Sequence, residues 1–197
     1  MRGASKTTSA PASLVYIRDI KKNKILPHTQ WCKLHIISRL FYTFIYAEQK
    51  KYYAISIRFS KNFIDRMSKD NKKADFIRRR INTNFKIYKE KIPEYSFVLE
   101  EDKDGYIHLH GIMKIENAEK IKHILKLTCF GSDYKNSSFN KYIFHYKQSY
   151  NAGKWCAYCL KGKFVKNKTI CSYTSRNLSR AVKFEYNIMK KGDNPVG

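Results

Sequence analysis

YSFVLEEDKDGYIHLHGIMKI, residues 95–115, is two apolar-rich runs joined by Asp102-Lys103-Asp104-Gly105, a hairpin pattern. Side chains alternate between the two faces of a strand, so the register of the hairpin decides which residues stand together. A two-residue loop, Asp104-Gly105, would put Glu100 on the face opposite His108 and His110. A three-residue loop, Lys103-Asp104-Gly105, with Gly105 left-handed in a bulge, sets Glu100 directly across from His108. Glycine occupies the position that this longer loop requires. The register then places Ser96, Val98 and Glu100 with the histidines, and Tyr95, Phe97 and Leu99 with Leu109. Leu109 is expected in the core and both imidazoles toward solvent. Imidazoles about 7 Å apart along one strand face can converge on a single ion, and Glu100 adds a harder third ligand. Glu100, His108 and His110 therefore read as a metal site with open coordination positions, suited to a divalent ion that must also hold a phosphate oxygen. The bare His-x-His pattern is weak, because two surface histidines on a half-exposed sheet look the same. An acidic partner at matching parity and a glycine directly after strengthen it.

The flanking segments supply the rest of an α+β architecture. YYAISIRF at 52–59 is β-branched and aromatic, as in a central strand. Residues 62–91 read as two helical pieces broken around KDNKK, the second with Ile77, Ile81, Phe85 and Tyr88 on one stripe and Arg78, Arg79 and Arg80 largely off it. After the hairpin come a helix at 117–129, a loop at GSDYKNSS, a strand in KYIFHYK at 141–147, and a short helix in NAGKWCAYCLKG. Asn151 is placed to cap that helix and Gly162 to stop it. Further strand content is expected beyond it. The predicted fold is an antiparallel β-sheet flanked by helices, in a domain at 51–190 with a short tail at 191–197. Residues 1–50 read as a basic N-terminal extension, its first ~13 residues polar and expected to be disordered. The apolar run at 34–47 contains Arg39 and is shorter than the ~20 residues a membrane span needs, so it predicts a packed helix.

Composition points to a partner. The 197 residues carry 40 Lys+Arg against 16 Asp+Glu, a formal net charge of +24 spread along the whole chain. So lopsided a balance predicts a polyanion, and aromatic residues at 15%, interleaved with lysine, favour nucleic acid over a membrane surface. Five cysteines cannot all pair, and no apolar leader precedes them, so a reduced, cytoplasmic protein is expected.

A second constellation lies in the helix at 151–162. At helical spacing Lys154, Tyr158 and Lys161 share a stripe, which places a tyrosine between two ammonium groups. Such a tyrosine is suited to attack a phosphodiester, with Lys161 beside the phosphate once attached. Among 15 tyrosines the plain alternative is an amphipathic residue at a core edge. Cys156 and Cys159 form a C-x-x-C pair without a second pair, and read as buried core thiols in preference to a zinc knuckle.

Taken together, Glu100, the His108-Leu109-His110 triplet and Tyr158-Cys159-Leu160-Lys161-Gly162 resemble the single-tyrosine HUH endonucleases, the Rep-type initiators of rolling-circle replication in plasmids, phages and circular single-stranded DNA viruses. AISIRF at 54–59 looks like the first strand of that family. The resemblance spans about residues 50–165. It implies Mg or Mn held by Glu100, His108 and His110, Tyr158 as nucleophile, and Lys161 as the neighbour that positions or neutralises the phosphate. It further implies a DNA endonuclease and nucleotidyltransferase that nicks and rejoins single-stranded or extruded-hairpin origin DNA through a 5′-phosphotyrosine. Arg78, Arg79, Arg80 and Lys154 are expected to contact that DNA. No G-x-x-x-x-G-K-[ST] helicase motif occurs, so a host helicase and polymerase are expected partners, in the cytoplasm of the host cell and without a membrane. A single-tyrosine transposase, a mobilisation relaxase and a non-catalytic basic nucleic-acid-binding protein are the alternative readings.

Overall fold

The computed structural model describes residues 29–102, 105–131, 143–148, 150–166 and 170–192, with the side chains at 162–166 and 191–192 left aside. The expected N-terminal tail, the centre of the hairpin turn, most of the GSDYKNSS loop and the C-terminal tail lie outside these residues.

After a 3-10 turn at Trp31–Lys33, the order is α1 (Ile36–Gln49), β1 (Tyr53–Arg58), α2 (Lys61–Ser68), α3 (Lys73–Ile87), β2 (Tyr95–Glu101), β3 (Ile107–Met113), α4 (Ala118–Phe130), β4 (Phe144–Lys147), α5 (Ala152–Lys166), β5 (Ser172–Thr174) and α6 (Arg176–Gly192). The strands form one antiparallel sheet in the order β4-β1-β3-β2-β5, with the histidine strand at its centre. This is the α+β arrangement the sequence predicts. The hairpin register is also the predicted one, since Glu100 pairs with His108 and Leu99 with Leu109. Gly105 has a φ of 81°, the left-handed conformation a bulged three-residue loop asks of its last residue.

Each face of the sheet has its own core. On one, Ile55, Ile57, Phe97, Leu99 and Leu109 pack against Phe63 and Met67 of α2, Ile77, Ile81 and Phe85 of α3, and Ile124 and Leu125 of α4. Tyr88, the last member of the α3 stripe, is exposed. On the other face Val98 and Ile112 meet Leu40, Phe41 and Phe44 of α1, Cys156, Cys159 and Leu160 of α5, and Leu178, Val182 and Tyr186 of α6. The division at residue 50 therefore cuts through a packed unit: α1, assigned to an extension, lines the second core. Burying three such aromatic and aliphatic side chains is worth several kcal/mol, far more than a detached helix could recover.

Two further expectations are corrected. Helix α5 does not stop at Gly162 but continues to Lys166. A helical glycine costs only about 1 kcal/mol relative to alanine, and cannot by itself end a helix anchored on a core. Helix α6, not foreseen, carries Leu178, Val182 and Tyr186 on one stripe and buries all three. Among the described residues no helix is long and apolar enough to cross a membrane.

Gly111 is required by close approach, not by its dihedral angles. A Cβ there would lie 2.1 Å from the Ser96 carbonyl oxygen and 2.8 Å from Phe97 Cα, both backbone atoms that cannot rotate away. Gly111→Ala is expected to destabilise the protein by about 1–3 kcal/mol, read as a lower urea midpoint.

Candidate active site

Polar residues interrupt the second core where β1, β2 and β3 run side by side. Ser56 of β1 pairs with His110, Arg58 with His108, and His108 with Glu100, so all five side chains share the face under α5. The face is covered, contrary to the solvent-facing imidazoles expected from the hairpin alone. His110 is 4% exposed and Glu100 8%, while His108 is intermediate and Arg58 exposed. The reason is tertiary: α5 lies over this end of β2 and β3, and Trp155 Nε1 donates a hydrogen bond to the Gly111 carbonyl at 2.8 Å.

The predicted triad is assembled. Glu100 Oε2 lies 3.1 Å from His110 Nε2 and 3.4 Å from His108 Nε2. Among the described residues these three form the grouping of metal-ligating side chains, with their ligand atoms within 4.8 Å of one another. Whether a cation fits is decided by hydrogen bonding. His110 Nδ1 is at hydrogen-bond distance from Ser56 Oγ, yet Nε2 and Glu100 Oε2 are buried and make no hydrogen bond. Burial first, then the neighbouring His108 and Lys161, pushes His110 down to about 3, so its ring is neutral near pH 7. Ser56 Oγ and His110 Nδ1 share one proton, and on the other side of the ring Nε2 lies 3.1 Å from Glu100 Oε2 without a hydrogen bond between them. Two buried polar atoms this close that make no hydrogen bond are left unsatisfied, and a divalent cation held between them would satisfy both. Two imidazole nitrogens and a carboxylate oxygen are a donor set that could hold a divalent metal ion.

This burial makes a pH prediction for the metal-free protein. Between about 3 and the usual imidazole range the unfolded chain binds a proton on His110 that the folded chain does not. Stability is then full above that range and falls as pH drops through it. In EDTA the urea midpoint is expected to decline from pH 7 to pH 4, on the order of a few kcal/mol in stability, and His110→Gln to flatten the decline.

The tyrosine helix meets the triad through three rings and one cation. Asn151 caps α5 as expected, its Oδ1 accepting from Lys154 N at 2.8 Å. Tyr158 stacks on Trp155, with ring centroids 5.2 Å apart and 9° between planes, and lies edge-on to His110 at 5.0 Å. The Tyr158 ring remains 43% exposed. Lys161 Nζ sits 3.7 Å from the centroid of that ring and 3.5 Å from Glu100 Oε1. Burial pulls the Lys161 ammonium down, but hydrogen bonds to Tyr158 and Glu100, with their charges, outweigh it and leave its pKa raised. It is a fixed cation between tyrosine and carboxylate. Cys156 and Cys159 are buried core thiols pushed up by burial, as the plain reading of that pair predicts.

Arg78, Arg79 and Arg80, expected to contact DNA, stand apart from the triad. Helix α3 packs on the face of the sheet opposite the triad. Arg78 and Arg79 are also bound to Asp75, and Arg79 to Asp70 as well, so much of their charge is neutralised within the helix layer. Lys154, by contrast, is on the triad side and lines a cleft with Tyr158. Sequence reasoning missed Ser56, Arg58 and Trp155. The strand AISIRF contained a signal, since Ser56 and Arg58 alternate with buried isoleucines.

The chain is similar in structure to the catalytic domain of the Adeno Associated Virus type 5 Rep protein, with a TM-score of 0.39 and 11% identity, covering 73% of this chain and 98% of that one. No protein-family model and no curated protein matches it.

Proposed function

We propose that the protein is a metal-dependent, single-tyrosine DNA endonuclease of the HUH type, which nicks and rejoins single-stranded origin DNA and so starts rolling-circle replication. One observation carries the reading: Lys161 reaches from the Tyr158 ring to the Glu100 carboxylate, so the tyrosine and the three metal ligands stand on either side of one cation. A tyrosine at a core edge has no need of that lysine or of orphaned acceptors beside it.

Glu100, His108 and His110 would hold the divalent ion, which would withdraw charge from the scissile phosphate. Ser56 fixes the His110 tautomer that leaves Nε2 free to ligate. Tyr158 offers its hydroxyl from an exposed ring. Attack forms a bond from the tyrosine oxygen to phosphorus and breaks the bond from phosphorus to the 3′ oxygen. The phenolic proton passes to water and the departing oxygen takes one up as a 3′-OH. One phosphodiester replaces another, so the 5′-phosphotyrosine retains the bond for rejoining. Lys161 remains an ammonium and acts as charge, offsetting the anion that develops at the tyrosine oxygen and phosphate. The free 3′-OH primes synthesis.

The test is incubation with single-stranded origin DNA and Mn, followed by a denaturing gel. A covalent species of protein plus the downstream strand, abolished by EDTA, is expected. Binding without any adduct across all candidate origins overturns the assignment.

A further inference from the structure

Beside the triad, a cleft of about 570 Å³ opens between β1, the edge strand β4 and the first turns of α5. Its volume is within the roughly 300–1,000 Å³ of sites that enclose a small organic molecule. The cleft exists because β1 presents its smallest side chains to this face: Ala54 and Ser56 alternate with Ile55 and Ile57, which point into the other core. Its walls are of two kinds. Tyr150 and Trp155 supply aromatic surface, with Tyr150 held by its hydroxyl donating to the Phe44 carbonyl. Lys147, which pairs with Ala54 and so points to the same face, and Lys154 supply charge. Both lysines are exposed, and neither forms an ion pair with a described carboxylate. Tyr158 closes the end toward the metal ligands.

Fixed aromatic faces with unpaired ammonium groups at the rim are the requirements of a stacked base and its phosphates. A base reaches such aromatic faces only when it is unpaired and unstacked from its neighbours. We propose that this cleft seats one unpaired nucleotide of the substrate strand, adjacent to the bond that is cut. Its base lies over Ala54 against Tyr150 and Trp155, and its flanking phosphates meet Lys147 and Lys154. The inference deepens the nickase reading and rests on it for the identity of the strand. Base capture here holds the neighbouring phosphate in register with Tyr158, a role that the arginines of α3 cannot fill from the far side of the sheet.

The experiment walks 2-aminopurine through a single-stranded origin oligonucleotide, with the full chain in EDTA, so that binding is read without cleavage. Quenching is expected to be concentrated at one position within two nucleotides of the nick. An abasic substitution there should weaken binding about ten-fold, as loss of one stacked base does. Lys147→Ala with Lys154→Ala should flatten the salt dependence by a slope of about 1.4, the value for two phosphates on a single strand. Tyr150→Leu should abolish the position-specific quench while circular dichroism stays that of wild type. A uniform quench along the strand, or a salt slope unchanged in the double variant, overturns the cleft. The nickase reading is scored separately by the adduct assay. With no adduct, a quench at one position that Tyr150→Leu abolishes retains the cleft as a single-nucleotide site and rejects the nickase, and an adduct with uniform quenching does the reverse.

Discussion

Tyr158→Phe is expected to eliminate the covalent protein–DNA adduct, with nicking reduced at least about a thousand-fold, while Mn affinity and single-strand binding stay within about two-fold of wild type. The substitution removes one oxygen and leaves the ring. Stacking on Trp155, the edge contact with His110 and the Lys161 ammonium over the ring face all depend on that ring. The side chain is 43% exposed, so no buried hydroxyl is left unsatisfied and folding is not threatened. A denaturing gel with 5′- and 3′-labelled strands separates the outcomes. Persistence of the adduct in this variant would move the nucleophile to another residue.

The second large effect is at Glu100, where activity and stability are expected to move in opposite directions. Glu100→Gln should weaken Mn binding by more than the roughly 10–100-fold typical of losing an outer-shell partner, and cleavage should fall with it. Yet the metal-free variant should be more stable than metal-free wild type, by about 1 kcal/mol. In the wild type a buried carboxylate oxygen lies 3.1 Å from His110 Nε2, and neither atom has a hydrogen-bond partner. A neutral amide at that position spares the fold the cost of burying an unsatisfied carboxylate oxygen. The variant loses its ion pair to Lys161, but that side chain is 48% exposed and such pairs contribute little. Calorimetric Mn titration and thermal melting in EDTA read the two arms. A residue kept for folding would give the opposite sign in the second measurement.

Much of this was legible in residues 95–115, because a hairpin joins local geometry to facing. Gly105 selects the three-residue loop, the loop sets the register, and the register brings Glu100 across from His108. The stripe of Lys154, Tyr158 and Lys161 was similarly legible at helical spacing. Where the reading went astray, the missing information concerned layers. The α3 stripe of Ile77, Ile81 and Phe85 identifies a buried face, but nothing within that helix says which face of the sheet it covers. The arginines were therefore expected on the DNA with no face assigned, and they stand on the side of the sheet away from the triad. Ser56 also escaped notice, since a serine between isoleucines is an ordinary strand residue until its partner strand is known.

The sequence by itself thus determined the hairpin, its register and the residues capable of holding a metal or attacking a phosphate, because these follow from strand and helix periodicity over short spans. Tertiary structure alone decided that α5 closes over the histidine face. That packing buries His110 Nε2 and Glu100 Oε2 without hydrogen-bond partners, carries Lys161 to Glu100 Oε1, and leaves a cleft above Ala54. Periodicity states which side of an element is apolar. The element that covers it is selected by the strand order and by the helix crossings between strands, and these are properties of the whole chain.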